Sequence, residues 1–249
     1  MKKNIFKLNP HISVDCVVFG FDGENLKLLL VNRKYRKYEN SEEFNTDLKL
    51  PGDLITDTES PDNAAYRILF ELTGIREIFL KQFNVFGDPE RISQHRDISW
   101  LEEQTGFMIE RVLTIAYYSL ITYDESKKEL AEEHDALWID INKVTELAFD
   151  HMDIVHSGLK TLRERLRSEP IGMELLPKKF TIRQLQNLYE VILGKNLDNR
   201  NFRKKVLKAE YLIPLDEKEQ GVAHNPARLY RFDIRKYKKH CIKSERFNF

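Results

Sequence analysis

The chain has 249 residues, 41% of them hydrophobic and 11% aromatic, enough for one large globular domain or two ordinary ones with real cores. No apolar run approaches membrane-spanning length, and the opening MKKNIFKLNPHISVD lacks the apolar core and cleavage site of a secretory signal, so a cytoplasmic protein without a membrane partner is expected. Only Cys16 and Cys241 occur, one in a strand-like run and one in a basic tail, a pattern that indicates neither a disulfide scaffold nor a zinc site. The formal net charge of zero conceals an asymmetry: residues 178–249 carry 18 Lys and Arg against 8 Asp and Glu, which leaves 22 against 32 for residues 1–177. A basic C-terminal part behind an acidic one is the footprint of a nucleic-acid reader joined to something else.

In chain order, residues 12–21 and 26–33 read as two strands joined by the Asp22-Gly23-Glu24-Asn25 turn, a hairpin. Residues 34–47 are polar, with Tyr35 and Tyr38, and read as a loop. The stretch 50–75, LPGDLITDTESPDNAAYRILFELTGI, then reads as a strand end, a loop and a well-delimited helix. Ser60 is the N-cap, Pro61 suits the first helical position, and Gly74 supplies the left-handed residue that stops the helix. Ala64, Ala65, Ile68, Leu69 and Leu72 form its apolar stripe, with Arg67 and Glu71 one turn apart beside it.

Residues 79–86 read as a further strand leading into the turn Gly87-Asp88-Pro89-Glu90-Arg91. Residues 92–110 form a long connection that mixes charge with Trp100, Phe107 and Met108, of the length that is usually functional or disordered. Residues 111–122, RVLTIAYYSLIT, are the strongest strand; Tyr117 and Tyr118 point to opposite faces of it, with core the better assignment for either. An acidic segment, 124–135, and a short strand at 137–139 follow. Residues 141–167 carry helical pattern, in which His151 and His156, five apart, do not share a helix face and read as solvated or interface histidines rather than a metal pair.

Residues 168–177, with Pro170, Gly172 and Pro177, read as a linker between an N-terminal domain of residues 1–167 and a C-terminal domain of residues 178–236; a basic tail occupies 237–249. In the C-terminal domain, Thr181 and Gln184 make a capping box, and Gly194 stops the first helix. Asp198 caps a second helix, with Leu197 stapled to Phe202, which is helix-turn-helix grammar. In that helix Phe202, Val206 and Ala209 face a core while Arg200, Arg203, Lys204 and Lys208 face outward. Arg and Lys can contact phosphates or guanine edges, and Asn199 and Asn201 can reach adenine. Residues 211–215 and 228–232 make the wing; Arg183 and Arg228 complete the candidate DNA-binding set, while Asp216, Glu217 and Glu219 argue against entry of the wing tip into a groove.

The stretch 50–75 resembles the Nudix box, the loop-helix-loop with which Nudix hydrolases bind magnesium and cleave diphosphates. Gly52, Glu59, Arg67, Leu69, Glu71, Gly74 and Ile75 match it, with one extra residue between Gly52 and Glu59. Ile68 and Leu72 stand where the box has glutamates. Magnesium wants a rigid array of oxygen ligands, so Glu59 and Glu71 are only weak metal candidates; no catalytic residue and no cofactor is expected. In the order of its segments (HISVDCVVF, LPG with the defective box, FGDPER, RVLTIAYYSL, LAFDH, then FTIRQLQNLYEVILGKNLDNRNFRKKVLK with PARLYRF) the chain resembles the Nudix-related transcriptional regulators. The resemblance implies an α+β protein, a Nudix-like α/β/α sandwich with a mixed sheet followed by a winged helix-turn-helix. It also implies a homodimer that binds a double-stranded DNA operator and is released by a small-molecule effector.

The resemblance implies an effector that is either a nucleotide-sugar such as ADP-ribose or, in one branch of the family, a sugar with L-arabinose as candidate; loss of the metal carboxylates, which removes a diphosphate clamp, leans toward the sugar. Asp15, Arg33, Lys49, Asp53, Arg67, Glu71, Asp88, Arg111 and Tyr118 are the candidate ligand-binding residues, because they lie on or beside the strands and helix that would line a cleft. Two other readings stay open at this level: an active diphosphatase with an accessory basic domain, and an interaction adaptor with neither activity.

Overall fold

The computed structural model describes residues 7–38, 41–109, 111–166, 175–208, 211–221 and 225–236. Most of the linker at 168–177, the tail at 237–249 with Cys241, and Ala209 fall outside the described residues. The chain divides into two compact units, one made of residues 1–20 and 27–158 and the other of residues 21–26 and 159–249.

The first unit is built on a seven-stranded sheet. Its strands are β1 (Leu8–Phe21), β2 (Leu26–Arg36), β3 (Phe44–Lys49), β4 (Gly52–Thr56), β5 (Lys81–Phe86), β6 (Leu113–Thr122) and β7 (Ala136–Asp140). The order is β3-β2-β1-β6-β5, with β4 pairing β1 and β7 pairing β2. Strand β1 is buried from Ser13 onward because both its faces are covered, which is why it reads as a continuous apolar run and not as an alternation. Val14, Cys16 and Val18 pack with Ala64, Ala65, Ile68 and Leu69 of helix α1 (Pro61–Thr73). On the opposite face Val17 lies under Gly158 of helix α4 (His151–Leu166). Tyr117 and Tyr118 follow the same division. The Tyr117 hydroxyl donates to Asp62 of α1, Tyr118 packs edge-on against Phe83, and both side chains are core.

Helix α1 begins and ends as its residues require. The Ser60 hydroxyl accepts the Asn63 N–H at 3.2 Å, and Gly74, at φ 70°, donates its N–H to the Phe70 carbonyl. Two segments that read as connections are ordered. The loop assigned to 34–47 is shortened from both ends, since β2 runs to Arg36 and β3 starts at Phe44, where Asp47 stands opposite Arg33. Within 92–110 lies helix α2 (His95–Thr105), ended by Gly106 at φ 71°; its N-cap, Gln94, makes no side-chain bond, so the signal that marks other helices is missing. The acidic segment at 124–135 is helix α3 (Glu125–Glu133), capped by Asp124.

One close approach fixes the centre of the sheet. The β1–β4 register sets Asp15 opposite Gly52, and a Cβ on residue 52 would lie 1.8 Å from Asp15 Oδ1. Only glycine leaves room for the carboxylate.

The second unit holds helices α5 (Ile182–Leu193) and α6 (Asn199–Lys208) and the antiparallel pair β8 (Leu212–Lys218) and β9 (Arg228–Phe232). Thr181 and Gln184 form the expected capping box. Asp198 caps α6 by accepting the Asn201 N–H at 2.8 Å. Phe180 bonds the Tyr230 backbone in both directions, tying the entry of α5 to the wing, and Phe202 packs edge-on against Tyr189 to close the core.

Gly52→Ala is expected to lower stability by about 1–3 kcal/mol, the usual cost of an overpacked core position. In a double-mutant cycle with Asp15→Ala, measured by denaturant unfolding, most of that loss should vanish once the carboxylate is gone. An additive result would show that the crowding is relieved elsewhere.

Candidate functional site

Beside the sheet, α2 and the start of α4 enclose a cleft of about 350 Å³, within the range of small-molecule sites. Its floor is polar and buried: Asp15, Lys49 and His151 are each less than a tenth exposed. The Asp15 carboxylate accepts the Thr114 hydroxyl at 2.6 Å. His151 Nδ1 accepts the Leu50 N–H at 2.9 Å. In the neutral ring this leaves the proton on Nε2, 3.4 Å from Asp15 Oδ1. Lys49 Nζ donates to the Gly52 carbonyl at 2.6 Å.

Burial pushes the Asp15 carboxyl up, opposed by Arg91, by the Thr114 hydrogen bond and by Lys49. It pushes His151 well below the usual imidazole range, and the Lys49 charge adds to that. Burial also lowers Lys49, with Asp15 and Asp53 working the other way. All three are thus driven toward their neutral forms. Arg91 closes one side of the cleft through a two-pronged bond to Asp150 at 2.7 and 2.9 Å. Trp100, Leu101, Gln104 and Thr105 of α2 form another wall. Asp135 and Phe149 also line the cleft and hold φ of 57°, in the left-handed region that side chains rarely occupy; such strain gathers at ligand sites.

Of the residues expected from sequence, Asp15, Lys49 and Asp53 line this cleft. Arg33 lies behind it, fully buried, with bonds to Asp47 and to Asp97 at 2.7 Å. Its guanidinium carbon stands 4.7 Å from the Phe149 ring centre, 5.2 Å from Tyr35 and 5.5 Å from Trp100. The other five do not gather there. Asp88 and Arg111 border a small adjacent depression that shares Arg91 and Val112. Tyr118 is core, because its strand position turns it onto Phe83. Arg67 and Glu71 lie outside the lining, on the flank of α1. His151, read as solvated or interfacial, is instead a buried part of the floor: it opens α4 and is therefore carried by the helix that covers the sheet. Arg91, Trp100 and Phe149 were missed as well, and the rare Phe conformation leaves no trace in sequence.

In the second unit the candidate nucleic-acid residues separate into two groups. Arg200, Asn201, Arg203, Lys204 and Lys208 are exposed on α6. The others are engaged in holding the turn together. Gln186, 2% exposed, donates to the Leu197 carbonyl and to Asn199 Oδ1, while Glu190 accepts the Leu197 N–H. Arg183 contacts Asn199 and Glu190, and Arg228 is held by the Leu215 carbonyl and Asp216. Asn199 therefore spends its carbonyl oxygen inside the protein.

Residues 9–157 match the NUDIX domain family, and residues 172–232 match the NrtR DNA-binding winged helix domain. The chain belongs to the NUDIX family. A relative from Acinetobacter baylyi, described as an ADPR responsive transcriptional repressor NtrR, is 28% identical over 234 residues, covering 92% of this chain and 84% of that protein. The crystal structure of Shewanella oneidensis NrtR complexed with a 27mer DNA is similar over 91% of this chain and 95% of its own, at 25% identity and TM-score 0.63. A further crystal structure of Shewanella oneidensis NrtR gives 26% identity and TM-score 0.61 over 89% of this chain and 94% of its own. An ADP-ribose pyrophosphatase from Methanocaldococcus jannaschii is 26% identical over 160 residues, 64% of this chain and 79% of that protein.

The fold is thus a NUDIX domain with a mixed sheet followed by a winged helix. Its Nudix helix keeps the scaffold bonds: Arg67 grips Glu59 at 2.6 and 2.9 Å, reaches Glu71 at 3.0 Å and donates to the Leu54 carbonyl. Glu59 also accepts the Thr56 N–H at 2.7 Å, so both of its oxygens are occupied. Arg67 holds the Glu59 carboxyl below the usual range. Ile68 is core and Leu72 lines the cleft. Among the described residues no group of three or more His, Cys, Asp or Glu side chains is placed to hold a metal ion.

Replacing Asp97 by Ala leaves Arg33 half-paired at full burial, and breaking a buried ion pair from one side costs about 3–5 kcal/mol. The expected outcome is a large loss of stability in Asp97→Ala and a smaller one in Asp97→Asn, read by chemical unfolding. Equal, small losses would show that Asp47 alone satisfies Arg33.

Proposed function

We propose that the protein is a DNA-binding transcriptional repressor whose Nudix cleft senses a nucleotide-sugar of the ADP-ribose class without hydrolysing it. The observation that carries this reading is the joint one: a cleft lined by an apolar residue, Leu72, where the Nudix box has a glutamate, in one chain with a winged helix whose α6 presents Arg200, Arg203, Lys204 and Lys208 outward. The A. baylyi relative, similar along nearly the whole chain, is described as ADP-ribose responsive, which favours a nucleotide-sugar over the free sugar that the missing carboxylates suggested. The catalytic alternative has little to work with, since Glu59 and Glu71 are both paired with Arg67 and Ile68 and Leu72 stand at the other two box positions.

The reading extends to assembly. A repressor of this kind acts as a cytoplasmic homodimer, because two recognition helices facing a near-palindromic operator must be spaced by about one turn of DNA or a multiple of it. Effector release then follows by linkage: a ligand that binds the free form better than the DNA-bound form lowers operator affinity, and the operator lowers ligand affinity by the same factor.

Three measurements test this. On a duplex selected from a random pool, ADP-ribose should weaken binding on the order of 5- to 150-fold, the usual span of such coupling; a ligand bound equally tightly with and without DNA is not the inducer. Arg203→Ala and Lys204→Ala should each weaken binding to all duplexes and reduce the salt slope by about one counterion, and unchanged affinity in both would move the interface elsewhere. Incubation with ADP-ribose and magnesium should give negligible product. Turnover that disappears in Glu71→Gln would reinstate the hydrolase.

A further inference from the structure

The buried floor of the cleft takes part neither in the DNA-facing surface of α6 nor in the Arg67–Glu59 frame of α1. Asp15 is placed with unusual insistence: Gly52 stands opposite it because any Cβ would collide with Oδ1, and the Gly52 carbonyl in turn holds Lys49. Three elements converge there, β1, β6 through Thr114, and α4 through His151. Yet Oδ1 is incompletely served, since its facing donor, His151 Nε2, stands 3.4 Å away, long for a hydrogen bond. A carboxylate with one well-bonded oxygen and one under-bonded oxygen, facing a cleft, calls for further O–H or N–H donors. Lys49 has three donors and two carbonyl contacts, at 2.6 and 3.4 Å. It has capacity for an oxygen acceptor beside the carboxylate.

Adjacent hydroxyls on a sugar ring supply that complement. One donates to Asp15 Oδ1, while its neighbour accepts from Lys49 or His151 Nε2–H and can donate in turn. We propose that Asp15, Lys49 and His151 form a vicinal-hydroxyl subsite that reads the sugar end of the effector directly, without a metal ion. The aromatic rings nearby, Phe149 at 5.1 Å from the His151 ring and Trp100 above Lys49, offer the apolar face that a pyranose or furanose ring also presents. The shared chemistry is a polyhydroxylated sugar, whether the terminal ribose of a nucleotide-sugar or a free pentose. This deepens the proposed sensing role and rests on the same cleft.

The test is calorimetric titration of the full-length chain with ADP-ribose, ADP, D-ribose and L-arabinose, each against the unaltered protein, Asp15→Asn and Lys49→Met. ADP lacks the terminal sugar, so it should bind at least tenfold more weakly than ADP-ribose, and Asp15→Asn should lose at least tenfold for ADP-ribose while leaving ADP unchanged. That loss of discrimination is a readout that general damage would not give. Should Asp15→Asn fail to fold, the ligand series on the unaltered chain carries the test. Equal binding of ADP and ADP-ribose, or unchanged ADP-ribose affinity in a folded Asp15→Asn, overturns the subsite and leaves ADP-ribose sensing intact. Binding of a free pentose but not of ADP-ribose, with loss in Asp15→Asn, supports the subsite and overturns the nucleotide-sugar reading. Binding of no sugar-bearing ligand overturns both.

Discussion

A guanidinium with no access to water sits at the back of the cleft. Arg33 cannot be deprotonated at any ordinary pH, so every group around it must compensate for the hydration it has lost. Asp47 takes two of its nitrogens and Asp97 a third, while Phe149, Tyr35 and Trp100 supply ring faces. Those partners come from β3, α2 and the segment leading into α4. The one charge therefore fixes how four separate pieces of chain stand around the site, and Trp100 and His151 inherit their positions from it. Phe149 accepts a left-handed backbone in the bargain, a cost on the order of 1–2 kcal/mol that the surrounding contacts must cover.

The second constraint is steric. Strand β4 crosses Asp15 at a glycine, and the same residue that makes room for the carboxylate offers its carbonyl to Lys49. Acid and base are thereby held near one another but not in contact, each bonded to neutral groups. Burial then disfavours the charge on both, and on His151 beside them. A floor whose acid and base are each already bonded to neutral groups suits a hydroxylated ligand better than it suits a phosphate, which needs committed positive charge. Arg91, the strongest cation facing the cleft, is already engaged by Asp150.

Elements with end signals or apolar periodicity were legible. Ser60, Pro61 and Gly74 delimit α1, Thr181 with Gln184 opens α5, and Asp198 opens α6, each by a local hydrogen bond that a few residues dictate. The helix α2 was not, because it lacks a capping side chain and its moderate amphipathicity is broken by charges that the fold uses, Asp97 above all. The cleft was legible only where a polar residue interrupts an apolar strand: Asp15 between Val14 and Cys16, Lys49 before Leu50. Arg67 and Glu71 look like site residues by the same logic, but their partners are each other and Glu59. His151 and Arg91 could have been found only by knowing that α4 begins against the cleft, which is a tertiary fact. On α6 the exposed cations were legible from helical phase, whereas the internal use of Asn199 depends on Gln186, thirteen residues away.

The Nudix helix shows why a fold can retain its frame when it lacks the carboxylates of the box. Arg67 and Glu59 tie α1 to β4 through the Leu54 carbonyl and the Thr56 N–H, so those two residues have structural work independent of any metal. Positions 68 and 72 have none of that kind. Ile68 adds to the core beneath the sheet, and Leu72 faces the cleft as apolar surface, so carboxylates there would bring further like charges near Glu71, whose cation, Arg67, is already shared with Glu59. On the proposed reading, an apolar residue there leaves a diphosphate ligand without the metal polarisation that attack requires. For a sensor this matters thermodynamically as well as chemically. Occupancy that reports ligand concentration requires binding equilibrium, and a site that destroys its ligand reports a balance of supply and turnover instead. An apolar metal corner beside a hydroxyl-reading floor meets the requirement of a receptor, and the linkage between effector and operator can then be a true equilibrium coupling.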